Sequence, residues 1–195
     1  MKSLKEIEVM LKETLTASRF QHTLGVMYTA GALAMKYSVD LKQAMLAGLL
    51  HDCAKCLSID EQKRLCREND IFLSVSEEKN PALIHAKLGA YLAKTNYEVD
   101  DEEILSAIAY HTTGRPNMTI LEEILYVADY IEPERHHTSN LPSVRRLAFE
   151  DIEKSILQIS GDILHYLQRN QNNVIDTLTK ETYEFYKNKL EMEGE

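Results

Sequence analysis

Leu41–Cys56 reads LKQAMLAGLLHDCAKC, and the interpretation of the whole chain turns on it. Asp40 is placed to cap a helix running from Leu41 to His51. The Ala and Gly residues of this strongly apolar segment mark a buried element packed tightly by its neighbours. The helix ends in His51-Asp52, where a charged carboxylate is costly unless it is paired or bound to a metal. The same stretch also holds Cys53-x-x-Cys56, a thiol pair at zinc-ribbon or redox spacing.

Helical signals continue on both sides of this segment. Ser3 with Glu6, Ser58 with Glu61 and Thr119 with Glu122 all have capping-box spacing. They predict helices from Ser3 to about Thr16, from Ser58 to about Asn69, and from Thr119 to a stop at Pro133. A helix from Ser18 to Tyr37 carries Phe20, Leu24, Met27 and Gly31 along one side. Asn80-Pro81 predicts an N-cap followed by Pro at the first helical position, with the helix running to about Thr95. Further helices span Asp101–His111, ahead of the breaker Gly114-Arg115-Pro116, then Asp151–Arg169 and Asp176–Glu191. No segment alternates with period two. The expectation is an all-α chain folded as a single helical bundle.

At 195 residues the chain suits one well-buried core. Its net charge of −9 argues against sequence-independent binding to a nucleic-acid backbone. It leaves room for a small phosphorylated ligand, provided bound cations or a few placed Lys and Arg supply local positive charge. The first turns carry charge of both signs, so no signal peptide is expected, and the longest apolar run is far too short to span a bilayer. Three Cys without framework spacing imply a reducing compartment, hence the cytoplasm.

Ionisable residues recur in apolar surroundings: His22 in FQHTLGV, His51-Asp52, His85 in ALIHAKLGA, His111 closing ILSAIAYH, and Asp129 inside ILYVADYI. Any one of them alone reads best as a satisfied core group. Together they require five helices each to bury a separately satisfied polar residue, whereas a shared metal centre satisfies all six at once. Four His and two Asp without sulfur suit Fe, Mn, Co or Zn at a hydrolytic site. Six ligands exceed what one open ion needs and fit two ions bridged by a carboxylate. Cys53 and Cys56 read as small apolar fillers, because Cys66 supplies no partner pair and no strand precedes the motif.

The ordered strings RFQHTLGV, AGLLHDCAK, LIHAKLGA, AYHTTGRPNMT and VADYIEPER resemble the YqeK family of bacterial HD-domain phosphohydrolases, which hydrolyse diadenosine tetraphosphate symmetrically. The likeness covers about residues 19–148, with closing helices over about 151–191. It implies one metal on His22, His51, Asp52 and Asp129, and a second on His85 and His111 with Asp52 bridging. The metal it implies is iron. It also implies that Lys55, Thr112, Gly114, Arg115 and Arg135 face the phosphates, with Asp52, Lys55 and Arg115 the residues closest to catalysis. A family Arg corresponds to Arg145. The partners implied are a dinucleoside polyphosphate or another nucleotide, no nucleic acid and no membrane, with a homodimer allowed. The chain departs from the family after Arg135, in the segment His137–Pro142, which bears on the substrate pocket. The rival readings are a hydrolase of other (deoxy)nucleotides, a non-catalytic metal-dependent nucleotide-binding protein, and a helical scaffold with core histidines.

Overall fold

A computed structural model describes residues 2–136, 139–169 and 174–193. Eleven α-helices occur among them, and no strand: α1 (Leu4–Thr14), α2 (Ala17–Tyr37), α3 (Leu41–Leu50), α4 (Ile59–Glu68), α5 (Val75–Lys79), α6 (Ile84–Asn96), α7 (Glu102–Tyr110), α8 (Ile120–Ile131), α9 (Leu141–Glu150), α10 (Ile152–Gln168) and α11 (Thr177–Glu193). Short 3-10 turns at Cys53–Cys56 and Pro81–Leu83 follow α3 and precede α6.

The centre of the bundle is the crossing of α2 and α3, with α7 and α8 laid against them. Asp40 caps α3 by accepting from the amides of Lys42 and Gln43. Ala44, Ala47 and Gly48 let α3 lie close on α2, since a Cβ at Gly48 would sit 2.8 Å from the Met27 Cα. Backbone packed on backbone therefore fixes the separation of the two helices that carry His22 and His51. Leu33, Leu49, Leu50, Ile108, Leu121, Ile124 and Leu125 fill the space around them and are fully buried. Burial of each such side chain contributes roughly 1.5–3 kcal/mol. Helices α9, α10 and α11 close the far side, with α10 on α8 and α11 on α10.

The capping boxes at Ser3 and Thr119 form in both directions. At Ser58 only the hydroxyl accepts, from the Glu61 amide, while Glu61 turns outward toward Arg64. Asn80 makes no side-chain cap; Pro81 opens a 3-10 turn, and α6 proper begins at Ile84. Two helices lie outside the predicted set. Helix α5 is opened by a Ser74–Glu77 box but is only five residues long, too short for any periodicity to show. Helix α9 starts at Leu141-Pro142, with Pro in the first turn, inside the segment where the chain departs from the family; His137 and Thr138 lie outside the described residues.

Candidate metal centre

Five elements deliver six donors to one spot. His22 comes from the middle of α2, His51 from the C-cap of α3 and Asp52 from the residue after it. His85 lies in the first turn of α6, His111 is the C-cap of α7, and Asp129 sits near the end of α8. The last carbonyls of a helix have no amide partner within it. His51 uses one of them: its Nδ1–H donates to the Gly48 carbonyl at 2.7 Å. His111 repeats the pattern on Ile108 at 2.8 Å, and His85 on Ala82 at 2.6 Å. A carbonyl only accepts, so the proton of each ring is on Nδ1 and the Nε2 lone pair faces inward.

His22 is mid-helix, where the backbone carbonyls are already taken. Its Nδ1–H donates instead to Glu132 Oε1 at 3.0 Å. Glu132 is 1% exposed, and its other oxygen accepts from the Glu134 amide at 2.7 Å. Gly25 leaves room for this carboxylate, because a Cβ there would lie 2.5 Å from Glu132 Oε2. Glu132 is thus the carboxylate of a carboxylate–histidine pair, the usual device for fixing the tautomer and raising the basicity of a metal-ligating imidazole.

The four Nε2 atoms meet in two pairs: His22 with His51 at 3.2 Å, and His85 with His111 at 3.2 Å. Two nitrogens bound about 2.1 Å from one ion lie roughly 3–3.4 Å apart, so each pair has the spacing of two ligands on a shared cation. Asp52 stands between the pairs with one oxygen toward each. Oδ2 is 3.7 Å from His22 and 3.5 Å from His51. Oδ1 is 3.2 Å from His85 and 3.7 Å from His111. Asp129 completes the first set, 3.1 Å from His22 and 3.7 Å from His51. All six predicted ligands converge, and the donor set fits divalent metal ions.

The shifts at His85, His111, Asp52 and Asp129 agree with that role, and the one at His51 runs against it. Burial pushes His111 down to about 3, with His51 and His85 adding to the effect. Burial also lowers His85, outweighing Asp52. Burial works against ionisation of Asp52, but His51 and His85 hold it well below the usual carboxylate range. Asp129 is likewise held low against its burial by the His22 hydrogen bond, His51 and Arg135. His51 shows the opposite balance: burial lowers it, and the adjoining Asp52 with Asp129 raises it. Ionised carboxylates and neutral imidazoles are the forms that bind metal.

The basic residues divide into distinct groups. Lys55 is exposed on the 3-10 turn after Asp52 and close enough to His85 to disfavour its protonation. Arg135 contacts Asp129 at 2.7 Å. Arg19, one turn before His22, does the same for Asp52 at 2.7 Å, a contact that only the α2–α3 crossing reveals. Both arginines line an open groove of about 440 Å³ beside His22. Thr112 places its hydroxyl 3.3 Å from His85 Nε2 and 3.1 Å from His111 Nε2. Arg115 is differently engaged. Its guanidinium makes a two-point contact with Glu122, whose side chain is 1% exposed, and lies over the Tyr110 ring.

Gly114 has φ +65 and donates its amide to the Tyr110 carbonyl, while a Cβ would collide with Thr182 at 2.8 Å. Its N–H is thus already used, and it shapes the turn before Arg115. Arg145 donates to the carbonyls of Ile131, Glu132, Pro133 and Arg135, so it ties down the end of α8. The thiol pair stays outside the chemistry. Cys53 is buried and Cys56 exposed, so the filler reading holds only for the first, and burial raises both thiols away from thiolate.

The HD domain family model matches residues 19–134, the span that contains all six donors. Proteins named symmetrical bis(5'-nucleosyl)-tetraphosphatase are similar along most of their length. The Bacillus subtilis (strain 168) protein is 41% identical over 168 residues, covering 86% of this chain and 89% of that one. The Staphylococcus aureus protein is 33% identical, covering 93% and 95%. A crystal structure from Clostridium acetobutylicum, described as a predicted HD superfamily hydrolase involved in NAD metabolism, superposes with a TM-score of 0.92 at 36% identity, covering 97% and 99%.

Proposed function

The chain belongs to the HD-domain family and, within it, to the group of the symmetrical bis(5'-nucleosyl)-tetraphosphatases, and from that premise we propose that it hydrolyses diadenosine tetraphosphate to two ADP with the help of two divalent ions, iron foremost. The observation that carries the two-ion reading is the division of Asp52, with one oxygen toward His22 and His51 and the other toward His85 and His111. His22, His51 and Asp129 would hold one ion and His85 and His111 the other, with Asp52 shared. Divalent ions in such a site activate water near neutral pH and offset charge on phosphoryl oxygens.

The protein's own contribution is to hold donors and place substrate. Backbone carbonyls lock three imidazoles, and Glu132 locks the fourth, so the rings need no reorganisation when substrate arrives. Arg19 and Arg135 lie where a polyphosphate passing over His22 would meet them, and Lys55 guards the opposite side near His85. Three cations around one centre grip several phosphates and set which phosphorus is presented. Arg115, fixed by Glu122, can offer phosphate only the guanidinium edge that Glu122 leaves over. No helix is long and apolar enough to cross a membrane among the described residues, in keeping with a water-borne substrate.

The test is product identification with metal-loaded protein. Chromatography should show ADP as the sole nucleotide product. AMP and ATP in equal amounts would mean asymmetric cleavage, and the substrate assignment would then be withdrawn while the metal site stood.

A further inference from the structure

Helix α11 begins at Thr177, beyond residues 19–134 of the HD family match, and carries none of the six donors. Its buried residues, Thr179, Thr182 and Tyr186, recur at helical spacing and share one face. All three carry a hydroxyl, which packing alone does not need and which is costly to bury without a partner. Tyr186 donates to Glu123 of α8 at 2.7 Å, and Asp176, just ahead of the helix, accepts from Ser76 of α5. These anchors set the register of α11 on the bundle.

Thr182 is fully buried one turn before Tyr186, and its hydroxyl lies 3.1 Å from the Thr113 carbonyl. It shares its single proton with the Leu178 carbonyl of its own helix, at 2.7 Å. The Leu178 bond is one that any helical threonine can make, whereas the Thr113 bond is particular to this fold. The peptide unit joining Thr113 to Gly114 is gripped at both ends. Its carbonyl accepts from Thr182, and its N–H donates to the Tyr110 carbonyl at 2.8 Å. The Thr182 methyl closes on Gly114, standing 2.8 Å from where a Cβ would be.

Peptide units are planar, so only the two backbone torsions of Thr113 separate this fixed plane from the peptide that follows Thr112. The Thr112 hydroxyl lies 3.3 Å from His85 Nε2 and 3.1 Å from His111 Nε2. Both nitrogens turn their lone pairs inward, so whatever they hold is within reach of that hydroxyl.

We infer that Thr182 is a positioning residue of the site, holding the Thr112 hydroxyl at the second donor pair through the Thr113–Gly114 peptide. The assignment rests on the nucleotide-hydrolase reading above for what Thr112 meets there, a phosphate of the substrate. It extends the working site to a helix beyond the matched domain. Misplacing a contact group by about 1 Å can cost up to about 100-fold, so a grip one residue away from Thr112 matters.

The experiment is calorimetric titration of inorganic pyrophosphate into the full-length, metal-loaded protein, with metal content measured alongside. Thr182→Val keeps the shape and removes the donor; it should weaken pyrophosphate roughly 3- to 10-fold with metal content as in the wild type. Thr182→Ser keeps the donor and should bind as the wild type does. Thr112→Val should weaken pyrophosphate at least as much as Thr182→Val. In the Thr112→Val background, Thr182→Val should add less than about twofold, because the two residues act as one unit. A threonine that merely supported the fold would cost the same factor in both backgrounds. Should Thr182→Val fail to fold, Thr182→Ala, which admits water to the Thr113 carbonyl, takes its place in both. Wild-type affinity in Thr182→Val or Thr112→Val, serine as weak as valine, or an undiminished loss in the Thr112→Val background overturns the assignment and leaves the hydrolase reading intact. Wild-type protein that does not bind pyrophosphate overturns both.

Discussion

Replacing Glu132 by glutamine keeps the size of the side chain and changes the number of its acceptors. The carboxylate serves two donors, the His22 Nδ1–H at 3.0 Å and the Glu134 amide at 2.7 Å. An amide has one oxygen, so in Glu132→Gln an NH2 must face one of these N–H groups. If it faces His22, the imidazole is relieved only by moving its proton to Nε2, the atom turned toward Asp129 and His51. Metal binding must then expel a proton that the wild type does not carry there. Losing an outer carboxylate of this kind costs about 10- to 100-fold in metal affinity, or roughly 1.4–2.8 kcal/mol. The loss should fall on one ion only, because His85 and His111 are oriented by Ala82 and Ile108 and owe nothing to Glu132. Titration of the metal-stripped protein should therefore show one weakened site and one of wild-type affinity. Gly25→Ala should give the same pattern, since its Cβ would displace the same carboxylate. Two sites of wild-type affinity in Glu132→Gln would refute the reasoning, as would equal weakening of both.

Asp52→Asn should lower the affinity for both ions, whereas His85→Ala should cut the stoichiometry from two to about one; elemental analysis after dialysis distinguishes these outcomes. Lys55→Ala should leave metal content and melting temperature unchanged and reduce kcat/KM by about 10- to 100-fold, the value of a lost charge-assisted contact of roughly 1.5–3 kcal/mol. Arg115→Ala should also destabilise the fold, by roughly 1–3 kcal/mol in urea denaturation, because Glu122 keeps only Ser106 and the Thr119 amide as partners. Burial raises Glu123 from 4.5 to about 7, and Tyr186 donates to it. The folded state thus retains a proton that the unfolded chain loses above about 4.5. The resulting stabilisation is complete below that pH and disappears as pH rises through about 7. It amounts to about 3 kcal/mol, and Glu123→Gln should flatten the stability profile over this window in thermal melts.

The six donors were legible because each is an ionisable group inside an apolar run, an expensive placement whatever the fold. The all-α class was legible because caps and breakers punctuate the chain at helical lengths. What stayed hidden depended on contacts between elements. Glu132 stands in EPER, a string that looks like solvated loop, and becomes buried only because α2 lays Gly25 against it. Arg19 reads as a helix-surface charge until the crossing of α2 and α3 brings it to Asp52. Arg115 was readable as a free cation, since nothing in the spacing of Arg115 and Glu122 says that the carboxylate is buried. The turn-shaping part of Gly114 was hidden as well, since neither its φ nor the proximity of Thr182 shows in the string.

The contact at Gly48 has a bearing on which ions the site tolerates. The backbone of α3 rests on that of α2 at Met27, and the same Gly48 supplies the carbonyl that orients His51. The separation of the two helices is therefore set by main chain against main chain, and hydrogen bonds to Glu132 and to the Gly48 carbonyl hold the His22 and His51 rings across it. Asp52 and Asp129 hang on rotatable bonds and can follow a larger or smaller radius. With ions bound as proposed, the two imidazoles would work as the fixed jaw of a caliper and the two carboxylates as its sliding jaw, so that exchange of one ion for another would be taken up by oxygen and not by nitrogen.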